Sequence, residues 1–168
     1  MIASMTGFAA ATREIAGGQL AVELKSVNHR YLEFQCRLAD DLRALRWGKL
    51  VWNASFNPVT ALARTTVGET LDDPRLLALV RSAMEEVVAV ARAAGVRLRD
   101  DVVERSLDVR PDFREALTSM HQDVLRGRPT EAGAILGEVL RHAADRGIAV
   151  PVLLALHALC SARGAKAV

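Results

Sequence analysis

Residues 49–69, KLVWNASFNPVTALARTTVGE, carry the most informative pattern in this 168-residue chain. Lys49, Asn53 and Asn57 recur at every fourth position, which on an α-helix places them in one line. Apolar residues fill most of the positions between them. A buried polar group needs a hydrogen-bond partner, so the line has two interpretations. It is either a ligand-binding strip on a packed helix or a polar stripe that faces solvent.

The sequence on either side changes in character near residue 40. Residues 19–27 and 31–38 alternate apolar and polar side chains, which is typical of half-buried strands in a small antiparallel meander. Beyond that point, prolines and N-capping residues mark helix starts. Helices are predicted over residues 41–57, 74–94, 111–126 and 130–146, and from 151 onward. The predicted fold class is α+β, with an N-terminal β meander followed by an all-α helical-bundle domain.

Composition excludes several classes of protein. The 22 Lys and Arg residues nearly balance 20 Asp and Glu residues, and a net charge of +2 is too small to favour nucleic acid. No apolar run reaches the ~18–20 residues that a membrane span needs. Cys36 and Cys160 lack metal-ligand spacing, so no metal site is predicted. Two isolated cysteines are typical of a cytoplasmic protein.

Three further segments follow KLVWNASFNPVTALARTTVGE in order: EEVVAVARAAGV, SMHQDVLRGRPTE and RGIAVPVLLALHAL. In sequence and spacing, residues 46–160 resemble the C-terminal helical domain of ketopantoate reductases (2-dehydropantoate 2-reductases). The resemblance implies an all-α domain that follows an NADPH-binding Rossmann domain and closes over ketopantoate. It also implies reduction of 2-dehydropantoate to pantoate by hydride transfer from NADPH.

The same resemblance implies roles for five side chains. Lys49 matches the lysine that protonates or polarises the keto oxygen, and Glu131 matches the acid that contacts the substrate hydroxyl. Asn53, Asn57 and Ser119 match substrate-binding residues, with Ser119 at the substrate carboxylate. Taken without the resemblance, Glu131 is also explained as a favourable first-turn carboxylate at a helix start.

The sequence contains no G-x-G-x-x-G stretch and no strand–helix–strand pattern to hold one. No cofactor-binding residue is therefore predicted, and NADPH is implied only by the family. The predicted function is that of the substrate-binding and dimerisation domain of a ketopantoate reductase without its cofactor domain, inactive alone.

The first 45 residues resemble a different family. The motifs SMTGF at 4–8, SVNHRYLE at 26–33 and LRAL at 42–45 are similar to the start of YicC-like endoribonucleases. Within them, the HRY triplet at 29–31 either contacts RNA by charge and stacking or forms a connection between strands. The chain is interpreted as a chimera of a YicC-like segment, 1–45, and a reductase domain, 46–168.

Three functional hypotheses stay open at this stage. The first is a domain that binds pantoate or ketopantoate. The second is a structural or interaction protein that forms homo-oligomers, because strand edges and a helical face without its usual partner favour association. The third is a YicC-like RNA-binding or endoribonuclease remnant, for which the near-neutral charge makes nucleic acid an unfavoured partner.

Overall fold

A computed structural model describes residues 7–15, 18–26 and 40–164 of the chain. The described elements are β1 Gly7–Ile15, β2 Gly18–Ser26, α1 Asp40–Asn53, α2 Phe56–Ala63, α3 Val67–Asp72, α4 Pro74–Ala93, α5 Val102–Leu107, a 3₁₀ turn Pro111–Phe113, α6 Ser119–Leu125, α7 Ala132–Ala144 and α8 Pro151–Gly164. The chain divides into two compact units, residues 1–45 and 46–168.

The described part of the first unit contains an antiparallel hairpin. Strands β1 and β2 pair along their whole length, from Gly7 opposite Ser26 to Ile15 opposite Gly18. The strand predicted for residues 31–38 lies outside the described residues, so the meander stays a prediction. The α-helical character predicted for the second unit is confirmed.

Helix α4 is the longest described helix and packs against α3, α7 and α8. Its buried face includes Val80, Met84 and Val87, which are spaced so that they share one side of the helix. Glu86 on the same helix fixes the start of α8. Its two carboxylate oxygens accept hydrogen bonds from the backbone N–H groups of residues 152 and 153, both at 2.9 Å. A carboxylate at a helix N-terminus satisfies donors that have no partner within the helix.

Helices α1 and α2 replace the single helix predicted for residues 41–57. Pro58 explains the break, because it has no N–H to donate to the Ala54 carbonyl and its ring would clash with that carbonyl in a continuous helix. The chain turns at Ser55 instead, where φ is −110° and ψ is −65°. Pro58 then lies in the first turn of α2, where no backbone N–H is required.

A 3₁₀ turn and α6 replace the single helix predicted for residues 111–126. Thr118 explains the new start at α6, since its backbone is extended and its hydroxyl accepts a hydrogen bond from the His121 N–H as an N-cap. Carbonyl groups in the segment before Thr118 form hydrogen bonds to α3. Those of residues 114 and 116 accept hydrogen bonds from the start of α3 and so are not available to a helix.

Gly68 lies where α3 approaches that segment most closely. Its N–H donates to the Arg114 carbonyl over 2.7 Å. A Cβ added at Gly68 would lie 3.0 Å from the same carbonyl oxygen and 3.1 Å from the Arg114 Cβ. A backbone carbonyl cannot move aside as easily as the end of a flexible side chain, so only glycine fits this contact without a shift of the Arg114 backbone.

We expect Gly68→Ala to lower the free energy of unfolding by about 1–3 kcal/mol, because the added methyl group overpacks a backbone contact. Gly48→Ala is the matched control, since a Cβ at Gly48 meets nothing within 4 Å. That helix-interior substitution should stabilise the fold by about 0.5–1 kcal/mol. Urea denaturation measures both, and equal effects of the two substitutions would contradict the packing described at Gly68.

Helices α1 and α7 pack through aromatic rings. The rings of Trp47, which is 8% exposed, and His142 lie 5.4 Å apart. The Arg146 Nη1 group lies 3.2 Å from His142 Nδ1, and a guanidinium can only donate, so Nδ1 accepts and carries no proton. Burial, followed by the positive charges of Arg141 and Arg146, lowers the pKa of His142 below its ordinary value of 6.5.

This lowered pKa predicts a pH-dependent stability. As pH falls below the ordinary value, the unfolded chain takes up a proton at His142 more readily than the folded chain, so the free energy of unfolding decreases. The decrease levels off below the folded pKa. Urea denaturation at about pH 7.5 and about pH 5.5 should show a smaller difference for His142→Gln than for the parent chain. An identical pH dependence of the two would rule out this contribution.

Among the described helices, none combines the length and the hydropathy that a bilayer crossing requires.

Candidate functional site

The line of Lys49, Asn53 and Asn57 runs from the surface into the core. Lys49 is exposed, Asn53 at the end of α1 is half-buried, and Asn57 at the start of α2 is only 3% exposed. Within the described part of the chain, the side-chain amide of Asn57 forms no hydrogen bond. Its backbone carbonyl lies 3.2 Å from the Thr60 hydroxyl. The polar line therefore ends in a largely buried side chain whose amide keeps some contact with the surface and makes no hydrogen bond within the described part of the chain.

A pair of buried threonines joins α2 to the start of α6. The hydroxyls of Thr60 and Thr118 lie 2.7 Å apart, and Thr60 Oγ1 also lies 2.9 Å from the Phe56 carbonyl. Because a carbonyl only accepts, Thr60 donates to Phe56 and Thr118 donates to Thr60. Ser119 follows Thr118 directly and is exposed. Asn57 therefore lies about one turn before Thr60 on α2, and Thr60 contacts Thr118, the residue before Ser119.

Two contacts join α1 to α7 near the other two predicted residues. Arg46 Nη2 lies 2.8 Å from Glu138 Oε1, beside the ring contact described above. Lys49 lies about one turn beyond Arg46, and Glu131 precedes Glu138 by seven residues, or about 10 Å of helix. Glu131 is exposed at the N-cap position of α7, where its side chain makes no capping hydrogen bond. No hydrogen bond or ion pair between Lys49 and Glu131 occurs among the described residues.

The structure thus brings Asn57 and Ser119 into neighbouring turns and leaves Lys49 and Glu131 as exposed side chains on two helices that touch. Neither of the two cavities described for the second unit is lined by any of the five predicted residues. No cluster of three or more His, Cys, Asp or Glu side chains suited to a metal occurs in the described ranges.

Sequence reasoning missed Ser55. Its side chain is completely buried, and its hydroxyl is the one fully enclosed polar side-chain atom without a hydrogen bond among the described residues. The break between α1 and α2 places it there, and Pro58 is the only signal of that break in the sequence. His121 is a packing residue, because it is 3% exposed with Nδ1 3.1 Å from the Thr65 carbonyl.

The residues present do not fit a dinucleotide cofactor. Pyrophosphate binding of the Rossmann type requires a glycine-rich turn between a parallel strand and a helix. The sequence has no G-x-G-x-x-G, and the sheet of the described residues is a two-stranded antiparallel hairpin. We therefore derive no cofactor step from this chain.

Two family models match different parts of the sequence. Residues 41–164 match the model described as ketopantoate reductase PanE/ApbA C terminal. Residues 2–47 match the model described as endoribonuclease YicC-like, N-terminal region. The two matches overlap at residues 41–47, inside helix α1.

Similar proteins point to the same reductase family. The chain is 35% identical over 127 residues to the 2-dehydropantoate 2-reductase of Pyrobaculum aerophilum, a match that covers 76% of this chain and 46% of that one. It is 39% identical over 105 residues to the enzyme of Mesorhizobium japonicum, covering 62% and 32%. The chain thus spans less than half the length of these relatives.

Solved structures share the fold of the helical unit. The ketopantoate reductase of Ralstonia eutropha superposes with a TM-score of 0.72 at 32% identity, over 77% of this chain and 43% of that one. A dimeric ketopantoate reductase from Staphylococcus aureus, at 21% identity and a TM-score of 0.70, shows the fold alone. Because the reductase match spans most of the sequence, this chain belongs to the ketopantoate reductase family through its C-terminal domain.

Proposed function

We propose that residues 46–168 form a substrate-binding domain for pantoate or ketopantoate. The observation that carries the proposal is the Asn57 side chain, which is 3% exposed: its amide keeps some contact with the surface, has no hydrogen-bond partner among the described residues and lies on the helix joined to α6. An amide that lies at the inner end of a polar line and makes no hydrogen bond within the described protein is available to a ligand. A ligand with hydroxyl and carboxylate groups offers both a donor and an acceptor to such an amide.

Each of the five residues has chemistry suited to this ligand. The Lys49 ammonium binds a keto oxygen or a carboxylate, and it is exposed and so accessible. Asn53 and Asn57 bind hydroxyl groups through their amides. The exposed Ser119 hydroxyl donates to the carboxylate, and Glu131 accepts a hydrogen bond from the ligand hydroxyl. These assignments follow the family motif and are supported by the exposure gradient along the polar line.

Reduction of the keto group lies beyond what these residues supply. We infer that a nicotinamide cofactor, NADPH in this family, is bound by a separate domain and that this chain alone does not act as a reductase. We also infer a cytoplasmic location, in keeping with a biosynthetic role.

Titration calorimetry of the intact chain with pantoate tests the proposal. We expect the parent chain to bind and Asn57→Leu to lose binding while its unfolding midpoint stays the same or rises. This is expected because leucine removes an amide that makes no hydrogen bond to the described protein and keeps the volume similar. Loss of function together with equal or greater stability is the signature of a residue kept for binding.

Thr70→Val is the matched control for this substitution. Thr70 is also completely buried, but its hydroxyl lies 2.9 Å from the Thr66 carbonyl and 2.8 Å from the Thr65 hydroxyl. Removing it should destabilise the fold and leave pantoate affinity unchanged. Absence of heat from the parent chain, or equal affinity of the parent and Asn57→Leu, would reject the proposal.

We also propose that the domain associates with a second copy of itself. Helix α8 exposes 55% of Leu154 and 57% of Leu159, and these residues lie among exposed alanines on the same side. Light scattering should give about twice the chain mass. A monomer at high concentration would contradict this association.

A further inference from the structure

A second cavity of the helical unit is lined by none of the five proposed substrate residues, although Met120, Thr130 and Ala132 in its lining adjoin Ser119 and Glu131 in the chain. It has a volume of about 450 Å³ and lies among α2, α6, the loop after α6, and the ends of α7 and α8. Its floor is apolar and buried, with Ala61, Met120 and Ala132 each 3% exposed. This size and lining are typical of pockets that bind small organic molecules.

Two arginines stand at the rim of this cavity. Arg64 ends α2 and Arg128 lies in the loop after α6, and both are exposed. In the described part of the chain, neither guanidinium forms a hydrogen bond or an ion pair. Several other arginines are paired with carboxylates, as Arg110 is with Asp112 at 2.9 Å. The cavity thus combines an apolar floor with two cations that are available to a ligand.

The backbone of Arg64 is a second unusual feature. At φ 60° and ψ 43° it is left-handed, and it is the only non-glycine residue with a positive φ among those described. Glycine ordinarily takes this position at the end of a helix. Keeping a long cationic side chain there in spite of the strain suggests a use for the side chain.

We propose that this cavity is a binding site for a small carboxylate with an apolar body. The apolar body would replace water against the buried floor, and the carboxylate would accept hydrogen bonds from Arg64 and Arg128, whose planar donors match its two oxygens. The ligand is distinct from the one assigned to Lys49, because none of the five proposed substrate residues lines the cavity.

Octanoate is the probe, and its neutral analogue octanol is the matched ligand. Titration calorimetry of the intact chain should show octanoate binding at least about tenfold tighter than octanol, as expected when a charge-assisted hydrogen bond forms. Equal affinities would show an apolar cavity without anion recognition, and absence of binding would show no site. Either result overturns the proposal.

Two glycines of α7 supply a pair of variants that locate the site. Gly133 lines the cavity and Gly137 does not, and a Cβ at either one meets nothing within 4 Å. Gly133→Leu should abolish octanoate binding by filling the opening, and Gly137→Leu should leave it unchanged. Both should fold, since each replaces a helical glycine with a better helix former at a position where an added Cβ meets nothing within 4 Å. Octanoate binding that survives Gly133→Leu would place the ligand elsewhere and refute the proposal.

The arginines supply the test of charge. Arg64→Gln and Arg128→Gln should each weaken octanoate binding by about tenfold, whereas Arg126→Gln, at an exposed arginine outside the cavity, should not. Pantoate affinity should be the same in Gly133→Leu as in the parent chain. A parallel loss of pantoate and octanoate affinity would show one site instead of two, and unchanged octanoate affinity in both arginine variants would exclude anion recognition.

Discussion

Replacing Lys49 by alanine is expected to weaken pantoate binding by about 10- to 100-fold, the usual range for losing a hydrogen bond to a charged group. Lys49 is exposed on α1 and makes no ion pair or side-chain hydrogen bond with any described residue, so its ammonium is available to a ligand. For the same reason its removal should leave the free energy of unfolding almost unchanged. Calorimetry and urea denaturation measure the two quantities on the same preparation.

Arg46→Ala is the control for charge on the same helix. Arg46 is an exposed cation one turn before Lys49, and its partner is Glu138 at 2.8 Å. Because exposed ion pairs contribute little, its loss should affect stability and pantoate affinity only slightly. Equal weakening by Arg46→Ala and Lys49→Ala would indicate general attraction of an anion, which would contradict a specific contact to Lys49.

Phe56→Ala is expected to lower the free energy of unfolding by about 3–5 kcal/mol, a large share of the stability of a domain this size. The Phe56 side chain is completely buried at the start of α2, and its ring stacks on Trp52 with centroids 4.0 Å apart. Truncation would leave a cavity at the junction of α1 and α2, where the polar line passes from one helix to the next. Pantoate affinity should fall as well, because Asn57 is the adjacent residue.

Phe113→Ala separates burial from the presence of an aromatic ring. Phe113 also contacts Trp52, with centroids 6.1 Å apart, but it is 48% exposed. Its truncation removes fewer buried contacts and should cost no more than about 1 kcal/mol. Comparable destabilisation by the two substitutions in urea denaturation would show that the junction does not depend on the buried ring.

The sequence predicted the helices that have strong local signals. Asp73 followed by proline predicted the start of α4, and the Asp73 carboxylate accepts hydrogen bonds from the backbone N–H groups of residues 75 and 76. Gly95 and Gly147, predicted to follow helix ends, both have positive φ. These features depend on a few consecutive residues, so local physical chemistry is sufficient to find them.

Other features depended on contacts between distant segments. The spacing of Lys49, Asn53 and Asn57 predicted a line but not which end is buried, since burial depends on α6 packing over α2. The hydroxyl pair of Thr60 and Thr118 joins residues 58 positions apart and has no signature in either segment. The break of the helix predicted for residues 111–126 likewise depends on α3, whose first N–H groups donate hydrogen bonds to carbonyls of that segment.

The proposed site likewise combines features that the sequence predicts with features that depend on contacts between distant segments. Family resemblance supplied the five residue types, while periodicity alone favoured a solvent-facing stripe for three of them. The structure places the most buried of the three, Asn57, where its amide has no partner among the described residues, which favours the ligand-binding explanation. The sequence did not predict the cavity lined by Arg64 and Arg128, because its walls come from three distant stretches of the chain, 61–64, 120–133 and 160–161.

Nuclear magnetic resonance of the isotope-labelled intact chain during titration with pantoate tests the central claim most directly. The side-chain amide of Asn57 and the backbone amide of Ser119 report on the two ends of the proposed contact. We expect both signals to shift together with one dissociation constant and to stay unchanged when pantolactone, which has no carboxylate, is added instead. Signals that do not move at saturating pantoate, or that move only for residues around Gly133, would contradict the assignment of a substrate site to this domain.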